Sequence, residues 1–224
     1  MSSPPQGLPS DNLKAARAWL SQRPQALEDI SEERCRRSPL FWAQHHTLTE
    51  NPKWEEQGLE FRARFPVKGY FVPLFQAFAT HRRLFIPKTR EMMTSWCAMV
   101  WATHQAQWKR AEVIVQTDSE DKAKELVGYG ECLYRNQDSW LQERHPLAGR
   151  ASQLAVDWKS GGRIFGIPKG EHKIRLYHPT IYIMDEAAFL PEAQQCYDAA
   201  HPVAGQIIAI SSAGPGWFGD QCQR

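Results

Sequence analysis

The sequence lacks any apolar run approaching the roughly 20 residues needed to span a bilayer, so no membrane-spanning helix is expected. It also lacks a secretory leader: the start, MSSPPQGLPSDN, has neither a basic n-region nor an apolar h-region. Charge of one sign is scarce. The 27 Lys and Arg residues face 25 Asp and Glu residues, for a net charge of +2. That balance neither announces nor excludes a polyanionic partner, because a protein that grips one with a single face needs positive charge only there. The five cysteines (Cys35, Cys97, Cys132, Cys196 and Cys222) are scattered, odd in number and form no CxxC pair. This argues against a zinc site and against a disulfide framework, and fits a reducing cytosol. The eight histidines form no HxxxH or HExxH pattern, so catalytic zinc is not expected. There is no internal repeat and no coiled-coil heptad pattern.

What is present is a chain of 224 residues, 42% hydrophobic, enough for one α/β domain with a buried sheet or one domain with an appendage. Residues 1–12 are rich in Ser and Pro and read as a tail. Over 13–47 the pattern is helical: Leu13, Ala16, Trp19 and Leu20 share a face, and Asp11 or Asn12 is placed to cap it. Pro24 breaks this helix, a second is expected from Gln25 towards Arg37, and another near Phe41. Residues 51–73, with Pro52, Pro66 and Pro73, read as irregular. The organisation then changes. Apolar runs at Arg83-Leu84-Phe85-Ile86-Pro87, Glu112-Val113-Ile114-Val115-Gln116-Thr117, Arg163-Ile164-Phe165-Gly166-Ile167, Thr180-Ile181-Tyr182-Ile183-Met184 and Gln206-Ile207-Ile208-Ala209-Ile210-Ser211 read as strands. Helices are expected between the early ones, over 92–107 and 119–135. Short apolar runs alternating with helices indicate a mainly parallel sheet covered on both faces.

The strongest chemical signal is Ile181-Tyr182-Ile183-Met184-Asp185-Glu186-Ala187-Ala188, an apolar strand ending in Asp-Glu. A buried strand holds its terminal carboxylate rigidly, where Asp185 can hold Mg²⁺ through its water shell. Glu186 can then polarise a water against a terminal phosphate. A strand ending in two surface acids gives the same string. A phosphate-binding loop belongs after an earlier strand, and Lys88-Thr89-Arg90-Glu91-Met92-Met93-Thr94-Ser95 stands in that place. Against G-x-x-x-x-G-K-[ST] only Ser95 matches.

The segment nevertheless resembles the deviant loop of viral large terminase subunits, K-x-R-Q-x-G-x-[ST], with the basic residue moved to its start. Asp185-Glu186-Ala187-Ala188-Phe189 is similar to that family's Walker B motif. Gly161-Gly162-Arg163-Ile164-Phe165-Gly166-Ile167-Pro168 followed by Arg175 resembles its strand, turn and arginine. Ile207-Ile208-Ala209-Ile210-Ser211-Ser212-Ala213 resembles its coupling motif, and Gln76 its adenine-reading glutamine. The resemblance covers residues 70–218, and four motifs in order are far more specific than any one.

The resemblance implies a P-loop NTPase of the ASCE type: a mainly parallel α/β sheet flanked by helices, with a strand inserted between the loop strand and the Walker B strand. The division it implies is a helical N-terminal appendage over 1–69 and an ATPase domain over 70–224. The implied function is the ATPase motor domain of a DNA-packaging terminase, with ATP and Mg²⁺ as cofactors. Glu186 and Arg175 would be catalytic, Arg175 as a finger reaching a neighbouring subunit. Gln76, Lys88, Thr89, Arg90, Glu91, Met92, Met93, Thr94 and Ser95 would bind nucleotide, Ser95 and Asp185 the metal, and Ser211 and Ser212 would couple hydrolysis to motion. Implied partners are double-stranded DNA, bound without regard to sequence, a portal protein and a small terminase subunit. A ring of identical subunits is implied on assembly, a monomer in isolation, with no membrane and in the cytoplasm of a bacterial host. The family's nuclease domain has no counterpart before Arg224, so DNA cleavage is not expected. The sequence also departs from the pattern. Met93 replaces the glycine that lets backbone approach phosphate, and Glu91 replaces the usual Gln. These departures keep open a degenerate nucleotide-binding assembly module, and another nucleic-acid motor such as a helicase is the remaining alternative.

Overall fold

The computed structural model describes residues 21–50, 58, 60–149, 152–167, 170, 174–214 and 216–223. The tail, the first helix with its Asp11 or Asn12 cap, and Pro168 lie outside the described residues. Helix α1 (Pro24–Arg37) and helix α2 (Pro39–His46) follow one another, each opened by proline, whose missing N–H and preset φ suit a first turn. Ser38 between them caps α2 by accepting from the Phe41 N–H. A hairpin of β1 (Leu48–Glu50) and β2 (Arg62–Arg64) follows. Helix α3 then spans Phe71–Thr80. Its start corrects the expectation of irregular chain to residue 73: Pro73 sits in the first turn, where it removes no helical hydrogen bond.

The main sheet is built from β3 (Arg83–Lys88), β4 (Glu112–Gln116), β5 (Ala155–Asp157), β6 (Arg163–Ile167), β7 (Ile181–Asp185) and β8 (Gln206–Ser212). Its order is β3-β8-β7-β4-β6-β5, with every neighbouring pair parallel except β5 with β6. The strand inserted between β3 and β7 is β8, as expected of an ASCE sheet. Between the strands run α4 (Thr94–Lys109), α5 (Glu120–Arg135), the short α6 (Ser139–Arg144) and α7 (Ala193–Ala200), and α8 (Trp217–Cys222) follows β8. The antiparallel β5 and the hairpin carry only three residues per strand, too few for an alternating pattern to stand out in sequence.

Strand periodicity sorts the core into two layers. Val113, Val115, Ile181, Ile183, Ile208 and Ile210 face α3, α4 and α5. Ile114, Tyr182, Met184, Ile207 and Ala209 face α7 and Phe218. Cys35 of α1 and Trp42 of α2 are buried in the first layer's cluster, so the N-terminal helices share its core. No helix among the described residues is long and apolar enough to cross a membrane.

His104 of α4 joins the helical layers. Its Nε2 donates to the Cys35 carbonyl at 2.8 Å, and its Nδ1 accepts from Gln105 Nε2 at 3.1 Å. Both nitrogens are used by the neutral ring, and burial pushes the pKa from 6.5 down to about 4. Unfolded chain therefore takes up a proton here that folded chain refuses. The stability involved is present above about pH 6.5 and is lost as pH falls towards 4. Within that window the loss attributable to His104 is expected to be about 1.4 kcal/mol per pH unit. Thermal melts of wild type and His104→Gln between pH 7 and 5.5 test this. The wild type should lose more stability than the variant, and parallel curves would remove His104 as the cause.

Candidate active site

Parallel pairing brings the carboxyl ends of three strands together, the usual location of ligands in such sheets. Lys88, the last residue of β3, lies opposite Ser212 of β8, and Asp185 of β7 lies opposite Ile210 of β8. Residues far apart in sequence thus meet at one edge. Lys88 Nζ donates to Glu186 Oε1 at 2.6 Å. The other oxygen of that carboxylate, Oε2, accepts from the Ser212 hydroxyl at 3.0 Å, and from the Ser212 N–H and Ser211 hydroxyl, each at 3.3 Å. Ser211 Oγ also accepts from the Ala188 N–H at 3.1 Å, and the Ala187 N–H donates to the Ile210 carbonyl at 2.9 Å. The turn after β7 is therefore stitched to β8. Glu186 itself has a φ of 51°, a left-handed conformation that side chains rarely adopt and that this stitching maintains.

Ser95, in the first turn of α4, donates to Asp185 Oδ1 and Oδ2 at 3.0 and 3.2 Å. Burial pushes the Asp185 carboxyl up to about 6, the Ser95 hydrogen bond opposing and the Glu186 charge adding to the rise. Burial would also raise Glu186, but the Lys88 ammonium and the Ser212 donors outweigh it and hold that carboxyl below its ordinary value. A hydroxyl and a carboxylate are hard oxygen donors suited to Mg²⁺. The pair therefore fits a cation on the chemistry of its donors. Among the described residues, this site included, no group of three or more His, Cys, Asp or Glu side chains is arranged to hold a metal.

The loop between β3 and α4 bends through two left-handed residues, Glu91 at φ 67° and Met93 at φ 52°. Met93 is the residue just before the helix, so α4 starts at Thr94, two residues later than the sequence pattern suggests. Thr89, Arg90 and Glu91 are exposed, Met92 and Met93 half-buried, and Thr94 is buried. Tyr70, which sequence reasoning did not single out, donates its hydroxyl to the Met92 carbonyl at 2.9 Å and braces the loop.

A cavity of about 490 Å³ opens over this edge. Its loop side is Arg90 and Ser95, and its floor is Asp185, Glu186 and Ser212. Its far wall is the α5 face carrying Lys122, Glu125 and Tyr129, and Phe189 stands at the rim. The wall was missed in the sequence. Lys122, Glu125 and Tyr129 have the spacing of one helix face, but spacing alone does not say where that face turns. Gln76 is not brought here. It lies on α3 and lines a separate cavity of about 660 Å³ with Phe75, Trp101 and His104, and among the described residues the two cavities share no lining side chain. Arg175 is exposed on the turn after Ile174, outside the residues lining the 490 Å³ cavity.

No protein-family model and no curated protein sequence matches the chain. Solved structures do. The Thermus phage P74-26 large terminase ATPase domain superposes with a TM-score of 0.50 at 18% identity, over 76% of this chain and 73% of that one. The HK97 bacteriophage large terminase superposes with a TM-score of 0.55 at 8% identity, over 79% of this chain and 37% of that one. The chain thus spans little more than a third of the HK97 protein. In strand order and in both superpositions, this chain has the P-loop α/β fold of the Thermus phage large terminase ATPase domain and of the corresponding part of the HK97 large terminase.

Proposed function

We propose that this chain is the ATPase motor domain of a DNA-packaging terminase, hydrolysing ATP with Mg²⁺ and moving double-stranded DNA without regard to sequence. The observation that carries the reading is the joint placement of Lys88, Ser95, Asp185, Glu186 and Ser212 at one sheet edge beside a strained loop. Phosphoryl transfer needs mainly positioning and charge neutralisation, and these groups supply both. The loop from Lys88 to Met93 and the first turn of α4 would receive the phosphates. Ser95 and Asp185 would hold Mg²⁺, which neutralises phosphate charge when bound. Lys88 cannot serve Glu186 and a phosphate fully at once, so nucleotide binding draws it off the carboxylate. Glu186, still held by Ser211 and Ser212, is then left to accept a hydrogen bond from the attacking water. Because Ser212 lies on β8 beside Lys88, changes at the phosphates reach β8 directly, and this supports the coupling role given to Ser211 and Ser212.

Arg175, exposed on its turn, is assigned to a neighbouring subunit's site in a homo-oligomeric ring, with a portal protein and a small terminase subunit as the other partners, in the cytoplasm of a bacterial host. The deciding experiment is ATP turnover by the purified chain with and without Mg²⁺. Mg²⁺-dependent turnover supports the motor, and turnover rising faster than linearly with protein concentration supports the Arg175 role. Nucleotide binding without turnover at any concentration replaces the motor with an assembly module, a reading favoured only by Met93 and Glu91 in the loop.

Met93→Gly addresses that second reading. The left-handed backbone at Met93 costs an ordinary residue about 1 kcal/mol and glycine almost nothing. Glycine gains a comparable freedom in the unfolded chain, and the half-buried Met93 side chain loses its packing on the core, so overall stability is expected to fall by about 1–2 kcal/mol. Removing the Cβ from the loop apex lets the backbone approach phosphate more closely, and ATP affinity is expected to rise several-fold. Calorimetry that finds equal or weaker binding would place the phosphates elsewhere.

A further inference from the structure

The far wall of the cavity carries a lysine that the loop and Walker motifs do not account for. Lys122 sits in the first turn of α5, and its Nζ donates to Asp118 Oδ2 at 2.8 Å. Asp118 lies two residues beyond the last pairing of β4 with β7, Gln116 with Met184, just past the carboxyl end of β4. Its second oxygen, Oδ1, is buried without a hydrogen-bond partner. Asp118 thereby tethers Lys122 beside the cavity floor, where Lys122 lines the same space as Ser95, Asp185 and Glu186.

The charge of that space is the second observation. Asp185, Glu186 and Glu125 line it against Arg90 and Lys122. Lys88, a further cation at this edge, is bonded to Glu186 at 2.6 Å. A triphosphate with one divalent cation adds further negative charge, which has to be met by cations within reach. Lys122 shares this space with Glu186, the carboxylate assigned to the attacking water, so it is on the side where the terminal phosphate of a chain held at the loop would lie.

We propose that Lys122 is a binding residue for the terminal phosphate, exchanging Asp118 for that phosphate when a nucleoside triphosphate enters and so separating triphosphate from diphosphate. The proposal rests on the nucleotide-hydrolase reading above. A lysine ammonium on a flexible stem can make this exchange by side-chain rotation alone, and Asp118 returns it to place after the phosphate leaves.

The test compares ATP and ADP affinities, both with Mg²⁺, in the wild type, Lys122→Ala and Lys122→Arg. One charge-assisted hydrogen bond corresponds to about a tenfold change in affinity. Lys122→Ala is expected to weaken ATP about tenfold and leave ADP unchanged, and Lys122→Arg to recover part of the loss. Melting curves accompany both variants. A purely structural role for the Asp118 pair would shift melting and weaken both nucleotides alike, which overturns the proposal. An unchanged ATP-to-ADP ratio in Lys122→Ala, with wild type binding both, also overturns it while leaving the hydrolase reading intact. Wild-type protein that binds neither nucleotide overturns both.

Discussion

Glu186→Gln is expected to lower ATP turnover by at least about 100-fold, the usual contribution of a positioned general base, while leaving nucleotide binding in place. The amide keeps the size of the side chain and can still accept from Ser212, which donates to the carboxylate at 3.0 Å. It loses the negative charge that polarises water, and it loses the charge that binds Lys88 at 2.6 Å. The released ammonium is free to meet phosphate, so ATP affinity is expected to equal or exceed that of the wild type. Steady-state turnover and calorimetry on the same preparation measure the two effects separately. Turnover within a few-fold of wild type would remove Glu186 from the catalytic role. Turnover and binding lost together would mean that the substitution had disturbed the site rather than its chemistry.

Lys88→Ala is expected to have the largest effect on binding. Lys88 closes β3, and its side chain is only 11% exposed. Losing a charge-assisted contact to phosphate is expected to weaken ATP by about 10-fold to 100-fold. The same substitution strips Glu186 of its cation. In the wild type the folded-state Glu186 carboxyl lies below its ordinary value, so it adds stability that is present above that value and lost as pH falls through the folded one. Without Lys88 burial acts with less opposition, the carboxyl rises, and that increment is lost at neutral pH. A partner left unmatched in this way costs about 1–3 kcal/mol. The double substitution Lys88→Ala with Glu186→Gln should therefore be more stable than Lys88→Ala alone, since no uncompensated carboxylate remains. Denaturant melts of the four proteins in this cycle give the coupling directly. Strictly additive losses would mean that the pair contributes nothing in solution, and undiminished ATP binding in Lys88→Ala would mean that the lysine does not reach the phosphates.

Much was legible in the sequence because it depends on residues close together in the chain. The run from Ile181 to Met184 is apolar at every position, which suits a strand buried on both faces, and its polar successors mark where it leaves the core. Asp185 and Glu186 at its end were found on that basis, and Ser95 as the single match to the general phosphate-loop pattern and through the resemblance. The inserted strand was expected from the resemblance, and it is β8 that takes the place. Tertiary structure alone decided what these residues do to one another. Lys88 and Glu186 are 98 positions apart, and Ser212 is 26 from Glu186, and they meet only because parallel strands align their carboxyl ends. The same alignment, with the packing of α5, turned Lys122 and Tyr129 towards the cavity, while α3 carried Gln76 into a different one. Period and local backbone preference are properties of a few neighbouring residues. Which strand lies beside which, and which helix face meets a site, depends on burying distant apolar surfaces together, and no short stretch of this chain encodes that choice.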